Sequence, residues 1–254
     1  VAPEPIAELA APPSWRSVDL LSDLHLQPAE PATFEAWRRY LAASDADAIV
    51  ILGDLFEAWP GDDAAQEPGF AADCAAVLRE AAARRPLYFM HGNRDFLVGH
   101  AFAQATGVRL LDDPTRLDLA GQRWLLSHGD ALCLGDTEYL RFRAQVRAPG
   151  WQHAFLLRPL AERQAVAQSL RTQSEERKRS GATYADVDAA EALAWLEAAG
   201  ADTLVHGHTH RPGEHALDAR HRRIVLSDWD LAARPPRAEV LRLSGAGARR
   251  MPLA

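Results

Sequence analysis

The chain is poor in cysteine: Cys74 and Cys133 are the only two in 254 residues, and they show no CxxC spacing. That excludes a disulfide scaffold and a thiolate metal site, and leaves two buried or idle thiols suited to a reducing compartment. No apolar run approaches the roughly 18 residues needed to span a bilayer, and the start lacks the basic-then-apolar order of a secretory signal. An excess of positive charge is also missing. The formal net charge of −7 argues against a nucleic-acid partner, while a local basic patch remains free to hold phosphates or an anionic membrane surface. There is no internal repeat and no long low-complexity stretch.

What is present is the composition of a soluble globular protein, 48% hydrophobic and 25% charged, in a chain long enough for one substantial core. A single domain is expected over residues 15–254. Residues 1–14, rich in Pro, Ala and Glu and beginning with Val1, read as a mobile leader, native or left by processing.

Short apolar runs recur, and each delivers the chain into a polar cluster. Residues 18–21 lead into Ser22-Asp23-Leu24-His25, 48–52 into Gly53-Asp54, and 87–90 into His91-Gly92-Asn93-Arg94-Asp95. Residues 123–126 lead into Ser127-His128-Gly129-Asp130, 203–205 into His206-Gly207-His208-Thr209-His210, and 223–226 into Ser227-Asp228-Trp229. Helical patterns rich in Ala, Leu, Glu and Arg lie between them at 32–43, 70–84, 96–105 and 189–199. Strands alternating with helices predict an α/β fold, with the polar clusters gathered beyond the carboxyl ends of the strands at one sheet edge. Residues 137–187 break the alternation. They are helical in pattern, Arg-rich and punctuated by Tyr139, Phe142, Trp151 and Phe155, which predicts an inserted helical cap with a polar loop at 173–182.

Each polar cluster has an ordinary reading and a chemical one. Asp23 and His25, two apart on an extended backbone, point the same way and suit one ion, or else they cap a turn. Gly53-Asp54 is a common turn signal, yet an aspartate there can give one oxygen to each of two ions. Asn93 offers a neutral oxygen ligand or a helix cap. His128 taken alone is ambiguous. His206, His208 and His210 at alternate positions point to one side, and metal binding explains them better than packing does. Together these carboxylate, amide and imidazole groups suit Mn²⁺ first, with Mg²⁺ or Fe²⁺ as alternatives.

The order DxH, GD, GNxD, HGD and GHTH resembles the calcineurin-like metallophosphoesterases from about Val18 to Trp229. That resemblance implies a sandwich of two mixed β-sheets flanked by helices, in place of the single open sheet that alternation alone suggests. It also implies two ions, one held by Asp23, His25, Asp54 and His210, the other by Asp54, Asn93, His128 and His208. Asp54 would be the bridge, and His206 would pack or orient its neighbours.

Within the family, LSDLHL, ILGDLFEAWPGDD, HGNRDFLVG, HGDALC followed by Asp136 and Tyr139, and HGHTHRPGEH look like the branch that acts on a UDP-linked diacylated glucosamine in lipid A biosynthesis. The implied reaction is pyrophosphate cleavage by a hydroxide bridging the two ions, in line on the UMP-side phosphorus. Asp54, Asn93, Arg94 and His128 would be catalytic. Asn93, Arg94, Asp136, Ser174, Lys178 and His208 would touch substrate, and the cap at 137–187 would receive the acyl chains. A monomer resting peripherally on the cytoplasmic face of the inner membrane is the implied setting. Many relatives carry His where this chain has Arg94, and arginine is no acid near neutral pH. The leaving group must then depart unprotonated, which suits a phosphate better than an alkoxide, with Arg94 clamping the phosphates. Ser227 departs from the Gly usual before the late Asp-Trp. The rival readings are an enzyme for another nucleotide pyrophosphate or phosphodiester, and a scaffold that has lost catalysis.

Overall fold

The run Ala-Ile-Val-Ile-Leu at Ala48–Leu52 is apolar at every position, the mark of a strand covered on both faces. In the computed structural model, which describes residues 5–179 and 185–253 (side chains of 173–179 excepted), this run is β3, buried throughout. It lies parallel to β2 (Ser17–Leu21) and β4 (Leu87–Met90). With β5 (Arg109–Leu111), β11 (Glu239–Ser244) and β12 (Gly247–Pro252) they form one mixed sheet, ordered β12-β11-β2-β3-β4-β5. A second mixed sheet is built from β1 (Ala7–Ala10), β6 (Thr115–Leu119), β7 (Gln122–Leu126), β8 (Thr203–His206), β9 (Gly213–Ala216) and β10 (Arg222–Val225), ordered β1-β6-β7-β8-β10-β9.

The alternation of side chains along each strand sorts the core into layers. Leu20, Val50, Leu52 and Met90 meet Leu117, Trp124, Leu126, Val205 and Ile224 between the sheets. On the other side of β3, Ile49 and Ile51 pack under α1 (Pro31–Ala43), α2 (Phe70–Ala82) and α3 (His100–Thr106). Leu125 and Leu204 lie under α7 (Ala189–Ala199). Each fully buried Leu or Ile contributes roughly 1.5–3 kcal/mol. The result is the two-sheet sandwich flanked by helices, not one open sheet: local alternation does not state which sheet a strand joins.

Several sequence boundaries shift for physical reasons. Residues 7–10, expected in a mobile leader, are β1, because their backbone pairs in parallel with β6 and Leu9 packs on the inter-sheet core. The helix expected from 96 begins at His100. Val98 N–H donates to Asp95 O at 3.0 Å, making a turn, and the Asp62 carboxylate accepts from Gly99 N at 2.8 Å and Phe102 N at 2.9 Å. The segment expected as a cap forms α4 (Thr137–Val146), α5 (Pro149–Leu156) and α6 (Leu160–Arg179). Its last helix runs through much of the polar stretch expected as a loop, since Gln, Glu, Arg and Lys are good helix formers. Among the described residues, no helix is long and apolar enough to cross a membrane.

Candidate metal centre

β2, β3 and β4 run parallel in one sheet, and β7, β8 and β10 in the other, so the six polar clusters gather at strand ends. Backbone hydrogen bonds lace them: Asp23 N to Gly53 O (3.2 Å), His25 N to Asp54 O (3.0 Å), Gly207 N to His128 O (3.0 Å) and, between sheets, Trp229 N to Asp23 O (3.0 Å). Asp23, His25, Asp54, His208 and His210 all have positive φ, between 49° and 65°; among the described residues the only other non-glycine residue that does is Ala120. Such left-handed backbone costs about 1–3 kcal/mol per residue and concentrates at functional sites. The candidate ligands thus converge through left-handed turns and not along extended backbone, and His206, still in β8, does not share the direction of His208 and His210. Its buried Nδ1 lies 2.9 Å from Gly207 O.

All seven candidate ligands meet. His25 Nε2 lies 3.3 Å from His210 Nε2. Asp23 Oδ1 is 3.4 Å from His210 Nε2 and 3.9 Å from His25 Nε2. Asp54 divides its carboxylate, with Oδ2 4.0 Å from His25 Nε2 and Oδ1 3.7 Å from His128 Nε2. Asn93 Oδ1 sits 3.0 Å from His128 Nε2 and 2.8 Å from His208 Nδ1. Two groups have donor atoms close enough for one ion each: Asp23, His25 and His210, and Asp23, Asp54 and His128. Asp23 thus borders both places.

These residues fit metal ions. Asp23 Oδ1 is buried with no hydrogen-bond partner among the described residues, a lone pair that a bound cation would satisfy. Two imidazole nitrogens facing each other at 3.3 Å suit a cation that both address. The donors are oxygen and nitrogen without sulfur, the set that Mn²⁺, Mg²⁺ or Fe²⁺ accepts.

The electrostatics agree. Burial would raise the Asp23 pKa, but His210, His128 and His25 hold it well below the carboxylate range. Burial opposes charge on His128, yet Asp54, Asp130 and Asp23 raise it to about 9; His25 is raised in the same way by Glu57, Asp54 and Asp23. His208 falls to about 4, through burial and the charge of His128. The carboxylates demand positive charge, which bound cations supply without protonating the ligands.

Residues behind the ligands fix their aim. His128 Nδ1 lies 2.8 Å from Leu52 O, the last carbonyl of β3. Asp95 accepts from Leu55 N at 2.7 Å and Gly92 N at 2.9 Å, and burial beside Asp54 raises its pKa to about 7. Gly92 is required here: a Cβ would stand 2.1 Å from Asp54 Oδ1. Asp130 receives Tyr139 Oη and Arg143 Nε (2.9 Å) from α4, and Arg147 Nη2 donates to Gly92 O at 3.0 Å. The cap is therefore pinned to the rim of the site, and Tyr139 stacks 5.9 Å from His208.

Arg94 N donates to Asp54 Oδ1 at 2.8 Å, and its guanidinium lies 3.7 Å from Glu57. Asp136 caps α4 by accepting from Tyr139 N at 3.0 Å. Ser174 and Lys178 lie outside the described side chains. Ser227 donates to Asp228 O at 2.9 Å, and Asp228 Oδ2 lies 3.7 Å from His210 Nδ1. Reading the sequence for ligands passed over Asp95, Asp130 and Glu57, although the first two stand inside the GNRD and HGD motifs.

The chain matches the calcineurin-like phosphoesterase family over residues 17–212. A protein of Chromobacterium violaceum named UDP-2,3-diacylglucosamine hydrolase is 48% identical over 246 residues, covering 93% of this chain and 99% of its own. One of the same name from Xanthomonas axonopodis pv. citri is 49% identical over 224 residues, covering 82% of this chain and 90% of its own. The chain belongs to the calcineurin-like phosphoesterase family, on the branch that holds these hydrolases.

Proposed function

We propose that the protein hydrolyses the pyrophosphate bond of UDP-2,3-diacylglucosamine, releasing UMP and 2,3-diacylglucosamine 1-phosphate, with two Mn²⁺ ions. The observation that carries this reading is the convergence of seven oxygen and nitrogen donors from two sheets, with Asp54 dividing its oxygens between His25 and His128. The substrate follows the names of the relatives. Asp23, His25, Asp54 and His210 hold one ion, and Asp54, Asn93, His128 and His208 the other. When bound, the ions polarise phosphoryl oxygens and acidify water.

The chain's own residues do the rest. His128 keeps Nε2 directed inward because its Nδ1 faces Leu52 O. Arg94 sits at the rim, with its backbone tied to Asp54, and neutralises charge that grows on the phosphates as the bond breaks. No acid is needed for the leaving group, because a sugar phosphate departs as a stable anion, with a second phosphate pKa of about 6. Asp136, Ser174 and Lys178 are proposed to contact substrate from the cap.

A peripheral seat on the cytoplasmic face of the inner membrane suits the cap. Leu157 is 75% exposed, with Leu156, Leu170 and Phe142 also exposed, and Arg141 and Arg158 lie among them in the sequence. Apolar groups beside arginines favour an anionic bilayer surface. A monomer is sufficient, since one chain supplies every ligand.

The test is an Mn²⁺-dependent assay of UMP release that compares the acylated UDP-sugar with unacylated UDP-N-acetylglucosamine. Release from the acylated substrate alone is expected. Equal release from both would point to a general nucleotide pyrophosphatase, and release from neither by metal-loaded protein would defeat the proposal.

A further inference from the structure

Glu57 is not among the seven candidate ligands. It stands beyond β3, in the stretch Asp54-Leu55-Phe56-Glu57, and its side chain is only 14% exposed. Its position is set by backbone bonds that run through the site. Leu55 N donates to Asp95, and Glu57 N donates to Leu26 O at 3.2 Å, so the residue is held beside His25. Its carboxylate faces three basic groups from three parts of the fold. Oε2 is 3.1 Å from His25 Nδ1, at an angle short of a good hydrogen bond. Oε1 is 3.3 Å from Arg171 Nε on α6 and 3.7 Å from Arg94 Nη1.

We infer that Glu57 is a positioning residue that joins cap helix α6 to the metal centre: one oxygen orients the His25 ring, and the other anchors Arg171. This rests on the reading of the site as a metal centre. An imidazole that offers one nitrogen to a metal carries its proton on the other, and a carboxylate beside that far nitrogen fixes the tautomer and strengthens the donor. With Nδ1 turned to Glu57, His25 Nε2 faces Asp23, Asp54 and His210. His128 is oriented by a backbone carbonyl instead; Glu57 ties α6 to a candidate ligand, while Asp130 and Tyr139 tie α4 to the same rim.

The second half of the link is mechanical. Arg163 on the same helix, 2% exposed, donates to Asp63 Oδ1 at 2.9 Å and to the carbonyl of Pro60. Residues 57–63 therefore hold α6 at two points about two turns apart, of which only Glu57 also touches a candidate ligand. The Glu57 charge also lets two guanidiniums, Arg94 and Arg171, stand at one rim, where an anionic diphosphate approaches. Movement of α6 and the aim of His25 are thus tied through one carboxylate.

The test uses metal-free full-length protein and the variants Glu57→Gln, Glu57→Asp and Arg171→Gln. Calorimetric titration with Mn²⁺ is expected to show affinity weakened about 10- to 100-fold in Glu57→Gln, with partial recovery in Glu57→Asp, which keeps the charge. Amide hydrogen exchange is expected to quicken along α6 in Glu57→Gln and in Arg171→Gln, with the double variant no faster than either single one. Folded Glu57→Gln with wild-type Mn²⁺ affinity would overturn the inference. So would Arg171→Gln with unchanged exchange in α6, a result that stands even if Glu57→Gln fails to fold. Wild-type protein that takes up no Mn²⁺ would overturn the metal reading itself, and the role of His25 with it.

Discussion

His128 sets its Nδ1 2.8 Å from the carbonyl oxygen of Leu52. A buried ring held that way directs Nε2 inward, 3.7 Å from Asp54 Oδ1 and 3.0 Å from Asn93 Oδ1. Because His128 is fully buried yet supports the site more than the core, His128→Ala is expected to leave a folded protein. Turnover should fall more than about 100-fold, beyond the loss typical of residues that only back a ligand. Steady-state UMP release, read beside a far-ultraviolet circular dichroism spectrum, checks both halves, and near-normal turnover would remove His128 from the proposed centre.

Asp95 is the acceptor that shapes the loop after β3, bonding to the N–H groups of Asp54, Leu55, Phe56 and Gly92. Asp95→Ala strands these buried donors, at about 1–3 kcal/mol for an unsatisfied group. Its denaturation midpoint should drop, and its activity should fall with it because Asp54 loses its support. Asn keeps one acceptor oxygen, so Asp95→Asn should lose less. Equal urea midpoints for Asp95→Ala and wild type would contradict this role.

Metal removal should destabilise the fold. Five left-handed ligand residues and the orphaned Asp23 Oδ1 are costs that a bound cation offsets. Free Mn²⁺ at about 100 times its Kd is expected to add about 2.7 kcal/mol for each site filled, a rise of roughly 5–10 °C in Tm over the chelated protein from one ion alone. Scanning calorimetry with and without chelator reads this directly, and no rise would count against a cation at the site.

Arg94 and lysine should not be interchangeable. In the proposed role the guanidinium grips phosphate with more than one N–H, whereas an ammonium grips as a point charge. Arg94→Ala is expected to lower kcat/KM about 10- to 100-fold, matching the loss of one or two charge-assisted hydrogen bonds. Arg94→Lys should recover only part of that. Full recovery by lysine would reduce the role of Arg94 to charge alone.

The two thiols should be silent while the protein is folded. Burial pushes Cys74 and Cys133 up to about 12, with nearby carboxylates adding to the effect, so thiolate is scarce at pH 8. Alkylation by iodoacetamide should be slow in buffer and reach two groups per chain in denaturant. Fast labelling of folded protein would mean that one of them is exposed.

Much of the centre was legible because its chemistry is local. Asp23, His25, Asp54, Asn93, His128, His208 and His210 each follow a short apolar run, and strand-to-loop punctuation is visible in any stretch of six to ten residues. Helices α1 and α7 were equally plain from composition. The start of α3 was not, because Asp62, far along the chain, caps it. Strand β1 was hidden by its Pro- and Ala-rich surroundings; pairing with β6 makes it a strand.

By itself, then, the sequence determined which residues are the candidate ligands and that strands deliver them, since ligand type and strand periodicity are properties of short segments. Only the tertiary structure decided how they meet. Packing of two sheets brings His208 and His210 to Asp23 and Asp54, left-handed backbone rather than extended alternation aims them, and distant carboxylates set their charge. Glu57 shows the difference: in sequence it is one acid in a loop, and only the approach of His25, Arg94 and Arg171 gives it something to hold.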